Sequence, residues 1–444
     1  MKKVRIGSGA GYAGDRIEPA LELIKKGNLD YIIFECLAER TIALAQKEKL
    51  KESNKGYNSL LEYRMSRVIP LLKEHPVKIV TNMGAANPVE AAKVTKKICE
   101  ENNLGDLKVA YVLGDDVFAK LGKYEEVQTI ESKILVKTLG ENKLSANAYI
   151  GAQSIVDALS AGADIVITGR ASDPSLTVGP AVYELGKSFA EIDFLAKATV
   201  AGHILECGAQ VTGGYYANPP FKEVPELWNI GFPIVELSDN GDFTIEKLAD
   251  SGGLLTTETV KEQLIYEIHD PENYLTPDVV VDFSKIVVTQ QGDKVAVKGV
   301  TGKPKTRLLK VSIGYEAGYI AEGEISYGGS NAASLAALAS EIIDHRLKRL
   351  GLLLEDARTD YIGIDSLYGK DLSNGQNELK EVRLRKAVRV NTKTEALDFC
   401  REVESLYTNG PAGGGGIRTR MNEIVALESI LVKEEDADTW FEIL

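Results

Sequence analysis

Short apolar runs at residues 4–6, 31–34, 77–80, 109–113 and 165–168 punctuate the first two hundred residues, and each is mostly β-branched or aromatic. Runs of that length without alternation read as strands buried on both faces. Between them, residues 17–26, 38–51, 58–74, 89–102 and 152–161 carry helical patterns. Strand and helix in alternation predict an α/β fold, a mostly parallel sheet flanked by helices. A further helix is expected over 187–208. From about 220 to 325 the texture turns strand-rich, with runs at 280–283, 285–289 and 295–298 and turn signals at Asn240-Gly241 and Gln291-Gly292. An Ala- and Leu-rich helix is expected over 331–349. Segments 361–365, 382–390, 393–407 and 424–431 then read strand, strand, helix, strand, which suits a small C-terminal α+β domain of ferredoxin-like type. The expected domains are therefore 1–355 and 356–444, with the boundary near 350–358.

Length agrees, since 444 residues are too many for one ordinary core. A net charge of -13 argues against broad nucleic-acid binding and against an anionic membrane surface. No apolar run approaches the about 20 residues of a membrane span. The apolar stretch in MKKVRIGSG is too short for a secretory leader, so a cytoplasmic location is expected. Cys36, Cys99, Cys207 and Cys400 are scattered without a C-x-x-C, which signals neither a zinc site nor a disulfide framework. A homo-oligomer is expected on general grounds.

The polar residues gather where the apolar runs end. GSGAGYAG, ECLAERT, TNMGAANP, LGDD and TGRASD each follow a predicted strand, and parallel sheets bind ligands beyond the carboxyl ends of their strands. The first holds a literal G-x-G-x-x-G on Gly9, Gly11 and Gly14, a tight turn that can present N–H groups to an anion at a helix start. Glu35 ends the second strand, where a dinucleotide fold holds a ribose hydroxyl. Asp15 and Pro19 speak against that use, and the plain alternative is a turn whose helix Asp15 caps. A smaller anion or a thioester carbonyl also fits.

Glu35, Glu39 and Arg40 crowd one strand end and helix start. Paired carboxylates beside an arginine shift each other's pKa and supply a general acid or base, or else form a salt-bridged helix start. Asn82 is a candidate donor to a substrate carbonyl, whereas Asn87-Pro88 reads as a helix cap. Ser145 and Asn147 precede a helix, and Arg170 follows a buried strand, where it can grip a carboxylate with two parallel hydrogen bonds or form a surface ion pair. Asp173 caps the next turn or takes part in chemistry. His203, Glu206 and Cys207 share one helix face. That face fits a metal, an acid/base pair, or a satisfied core histidine with an inert thiol. Gly413 to Gly416, before Arg418, make either a loop able to close over an anion or a plain connection.

The blocks GAGYAGDR, FECLAERT, TNMGAANP, SANAYIGA, ADIVITGRASDPSL, HILECGAQVTGG, QLIYEIHDPENYLTPD and YTNGPAGGGGIRT resemble the acyclic terpene utilisation (AtuA-like) family, in order and over nearly the whole chain. The resemblance implies an N-terminal α/β region with a ferredoxin-like domain fused behind it. It also implies an association with the breakdown of terpenoids such as citronellol and geraniol through acyl-CoA intermediates. It carries over no catalytic residue.

The residues themselves point to a small-molecule catabolic enzyme, a lyase or hydratase acting on an anionic substrate, either a carboxylic acid or an acyl-CoA. Glu35, Glu39, Asp173 and His203 are the expected catalytic groups. Gly9, Gly11, Gly14, Arg40, Asn82, Asn147 and Arg170 are the expected substrate contacts. No cofactor and no metal is assigned. The alternatives are an NAD(P)-dependent oxidoreductase and a non-catalytic subunit of a catabolic complex.

Overall fold

The computed structural model describes residues 2–352, 356–367, 369 and 379–444. The chain divides into two compact units, Met1–Gly314 with Leu427–Leu444, and Tyr315–Ala426. The first unit carries β1 (Lys3–Ala10), β2 (Tyr31–Phe34), β3 (Lys78–Thr81), β4 (Val109–Leu113), β5 (Lys143–Ala148), β6 (Ile165–Thr168), β7 (Ile234–Ser238) and β8 (Phe243–Glu246). It continues with β9 (Tyr274–Leu275), β10 (Val280–Asp282), β11 (Val287–Gln291), β12 (Lys294–Lys298) and β13 (Thr301–Lys303). Then come β14 (Leu308–Gly328), β15 (Ala357–Ile362), β16 (Glu381–Val390), β17 (Gly415–Lys433) and β18 (Trp440–Ile443).

Ten strands form the main sheet of the first unit, in the order β11-β12-β8-β7-β1-β2-β3-β6-β4-β18. Its centre, β1-β2-β3-β6-β4, is parallel. β7, β8, β12 and β11 extend one side antiparallel, and β18 closes the other side antiparallel. The sheet is thus mixed, a correction to the mostly parallel sheet expected from the pattern. The reason lies in the connections. Parallel neighbours need a crossover connection, and the central strands have them. Two of the added pairs, β7–β8 and β11–β12, are instead hairpins, one holding Asn240-Gly241 and one turning at Gly292, whose φ is +60°. The parallel centre is buried as expected: every residue of β2 and β6 is inaccessible.

Residues 58–74 split into an α-helix, Leu61–Val68, and a 3-10 turn, Ile69–Lys73, because Pro70 has no N–H to continue the ladder. The helix Ser175–Leu185 has no sequence counterpart among the predicted elements. It is apolar nearly all round and holds Gly179 and Pro180, so no stripe marks it.

The second unit runs strand, helix, strand, strand, helix, strand: the latter part of β14, Ala332–Arg349, β15, β16, Lys393–Glu404 and the first part of β17. Its sheet order is β15-β16-β14-β17, with β14 and β15 both antiparallel to β16. Ile325, Tyr327, Ile343, Leu384 and Phe399 share its core. The expected boundary near 350–358 runs through residues 353–355, which lie outside the described residues. The unit starts at Tyr315, inside β14. Gly323 leaves no room for a Cβ, which would stand 2.5 Å from Val403. No helix among the described residues is long and apolar enough to cross a membrane.

Candidate active site

Loops leaving β1, β2, β5 and β6, the end of the helix Ile192–Glu206, and β9 line one cavity of about 900 Å³ in the first unit. This is the carboxyl edge of the parallel centre, where such sheets bind ligands.

Glu35 follows β2 directly and is buried. Its Oε1 accepts the Leu37 N–H at 2.9 Å and the Asn82 Nδ2 at 2.9 Å. Asn82 Oδ1 in turn accepts the Cys36 N–H at 2.7 Å. Burial, and then the charge of Asp173, push the Glu35 carboxyl well above its ordinary range.

Arg170 follows β6 and is 1% exposed. Its N–H donates to Asp115 Oδ2 at 3.0 Å, which also accepts from Asn147 Nδ2 at 2.9 Å. The guanidinium lies 3.9 Å from the centre of the Tyr149 ring. Its Nη1 stands 2.9 Å from Asp173 Oδ1 and donates to the Leu37 carbonyl. Its Nε is buried without a hydrogen-bond partner among the described residues. Burial raises Asp173, Arg170 pulls it down, and Glu206 raises it again, leaving it pushed up to about 6.

Glu39 opens the helix Glu39–Lys51. Tyr149 donates its hydroxyl to Glu39 Oε1, and Lys310 Nζ stands 3.2 Å away. Burial would raise this carboxyl, but the Tyr149 hydroxyl and the charges of Arg170 and Lys310 hold it down at about 2. His203, 1% exposed, places Nδ1 2.8 Å from Glu206 Oε1 and Nε2 2.9 Å from the Gln263 carbonyl oxygen. Burial opposes its protonation, yet Glu206 outweighs burial and the net shift is upward. The neighbouring Cys207 thiol is pushed up by burial, which keeps it protonated.

Of the residues singled out in the sequence, Glu35, Glu39, Arg170, Asp173, His203, Glu206, Cys207 and Gly11 border this one cavity. Asn82 and Asn147 stand one layer behind it, fully buried, tying loop to loop. Arg40 is exposed and lies outside the lining. Gly9 belongs to β1, where a Cβ would meet the Phe34 ring at 2.6 Å, and Gly14 packs on Tyr12; neither borders the cavity. The Gly11 N–H donates to Asp15 Oδ2 at 2.9 Å, so that donor of the glycine turn is already engaged. Gly415 and Gly416 begin β17 in the second unit, with Gly413 and Gly416 at positive φ. Sequence reasoning passed over Tyr149 and Lys310. Tyr149 stood two positions beyond Asn147, in the loop after β5, whereas nothing local marks Lys310. Among the described residues no group of three or more His, Cys, Asp or Glu side chains is arranged to hold a metal ion.

No curated protein and no solved structure matches the chain. One family model, described as acyclic terpene utilisation family protein AtuA, matches residues 4–443 and so takes in both units and every residue of the cavity. The chain belongs to the acyclic terpene utilisation family.

Proposed function

We propose that the protein is a lyase or hydratase acting by acid/base chemistry on a small carboxylic acid or acyl thioester. One observation supports this: a buried arginine stands among carboxyl groups whose proton affinities are driven far apart. Asp173 is raised to about 6 and Glu35 is raised as well, while Glu39 is held at about 2. Carboxyl groups separated in this way divide the roles of acid and permanent anion at neutral pH. In this reading Arg170 offers its unpartnered Nε to the substrate carboxylate or carbonyl oxygen. Protonated Asp173 delivers a proton to a departing hydroxyl, and Glu39 keeps Tyr149 and Lys310 in place around the arginine. A ferredoxin-like reading of the second unit goes with this proposal, supported by its strand, helix, strand, strand, helix, strand order.

The test is incubation of the protein in D2O with panels of hydroxy acids, 2-enoic acids and their CoA thioesters, followed by NMR and mass spectrometry. Gain or loss of water, or deuterium entering next to the carbonyl, is the expected result, lost in Arg170→Met. A panel returned unchanged, with no member bound, overturns the proposal.

A further inference from the structure

His203 borders the cavity, but both of its ring nitrogens are already engaged. A backbone carbonyl only accepts, so Nε2, 2.9 Å from the Gln263 oxygen, carries a hydrogen that is already used. The other ring nitrogen stands 2.8 Å from Glu206 Oε1, a separation that requires a proton between them. Tyr274 and Phe283 hold the ring from two further sides, with centroids 6.0 Å and 5.8 Å away. Both nitrogens of the histidine are therefore spent. Its partner keeps one oxygen unspent. Glu206 Oε2 is buried, has no hydrogen-bond partner among the described residues, and belongs to a side chain that lines the cavity.

We propose that Glu206 is the base of this site and His203 its positioning residue, a dyad that fixes Oε1 and leaves Oε2 to meet the substrate. The helix Ile192–Glu206 builds it, since residues three apart face one another across its last turn. The groups around the dyad are Asp173 on the loop after β6, Glu267 beyond the helix Thr257–Ile265, Tyr274 on β9, and Cys207. The inference rests on the acid/base reading above and completes it. Oε2 takes the proton on the carbon next to the carbonyl, the C–H electron pair becomes the new C=C bond, and the departing hydroxyl leaves as water with the Asp173 proton. The proton on Oε2 then returns to solvent and Asp173 recovers one, so the protein ends unchanged. Glu206 thus becomes a catalytic residue and His203 acts through it.

Two measurements test this. Histidine-labelled protein is titrated by NMR, where His203 is one of four imidazoles. In Glu206→Gln, a near-isosteric change, its midpoint should fall, because the carboxylate that raises it is gone. An unmoved midpoint overturns the dyad. The exchange reaction of the preceding section is then repeated on the variants. Glu206→Gln should lose about 100-fold or more in kcat. His203→Gln should lose less in kcat, leave KM nearly unchanged, and displace the acid limb of the pH–rate profile. If the wild type exchanges protons and Glu206→Gln matches it, the base assignment falls while the acid/base reading stands. If the wild type exchanges nothing, that reading falls and takes the base with it. Should His203→Gln fail to fold, the Glu206→Gln results decide alone.

Discussion

Gly11→Ala perturbs the joint between the glycine turn and the helix that carries Glu206. A Cβ at position 11 would stand 2.3 Å from the carbonyl carbon of Cys207, 2.5 Å from Gly208 N and 2.7 Å from Cys207 O. Ordinary contact begins near 3.4 Å, so the two backbones must part by about 1 Å. Nothing flexible lies between them, because all three atoms are main chain, and no rotamer change relieves the clash. Overpacking of this kind destabilises by about 1–3 kcal/mol, against a gain of about 0.4–1 kcal/mol from a stiffer unfolded chain. With the clash borne wholly by main chain, the upper part of the range applies, a net loss of about 2 kcal/mol. Gly122→Ala is the control, since nothing lies within 4 Å of its added methyl. It should be neutral or slightly stabilising. Urea denaturation of both variants, read by far-UV circular dichroism, measures the difference. Gly11→Ala within about 0.5 kcal/mol of Gly122→Ala would refute the close approach of the turn to Cys207.

Other expectations follow from the same site. Arg170→Met leaves Asp173 and the Leu37 carbonyl without their cation, and breaking a buried pair should cost about 3 kcal/mol in urea unfolding. Asp173 keeps its proton to about pH 6 in the fold, above its ordinary value of 3.8. Between those values the folded state binds more protons than the unfolded one, so this contribution falls as pH rises. Measured from pH 4 to 6, wild type should therefore lose stability relative to Asp173→Asn, and parallel curves would contradict the assignment. Glu39 is the opposite case. Held at about 2, it stabilises the fold above its ordinary pKa and loses that contribution as pH falls toward 2. Tyr149→Phe should thus cost about 1 kcal/mol at pH 7 and almost nothing near pH 2, by thermal melts at each pH.

The parallel centre was legible in the chain because each of its strands is covered on both faces, so its run of β-branched residues needs no partner to be recognised. β2, β4 and β6 fall where the apolar runs stand. β14 was not legible. Its glycines at 314, 318 and 323 look like punctuation, yet Gly314 and Gly323 are places where neighbours press close: Ala43 and Ser145 on one, Val403 on the other. A glycine chosen for close approach and a glycine chosen for a turn look alike until the neighbour is known.

The same divide runs through the site. Glu35, Arg170 and Asp173 could be named from local order alone, because a polar residue just past a buried strand has only the sheet edge to go to. Which groups join them depended on packing between segments far apart in the chain. Asn82 and Arg40 stand in equally polar segments just past β3 and β2, yet one is sealed behind Glu35 and the other, in the first turn of a helix, faces solvent. Lys310 meets Glu39 from 271 residues away. The exchange of roles between His203 and Glu206 likewise needed the Gln263 carbonyl, 60 residues on, to occupy the imidazole. Local order states what each segment prefers; whether a donor is spent or free is settled only when another segment arrives to take it.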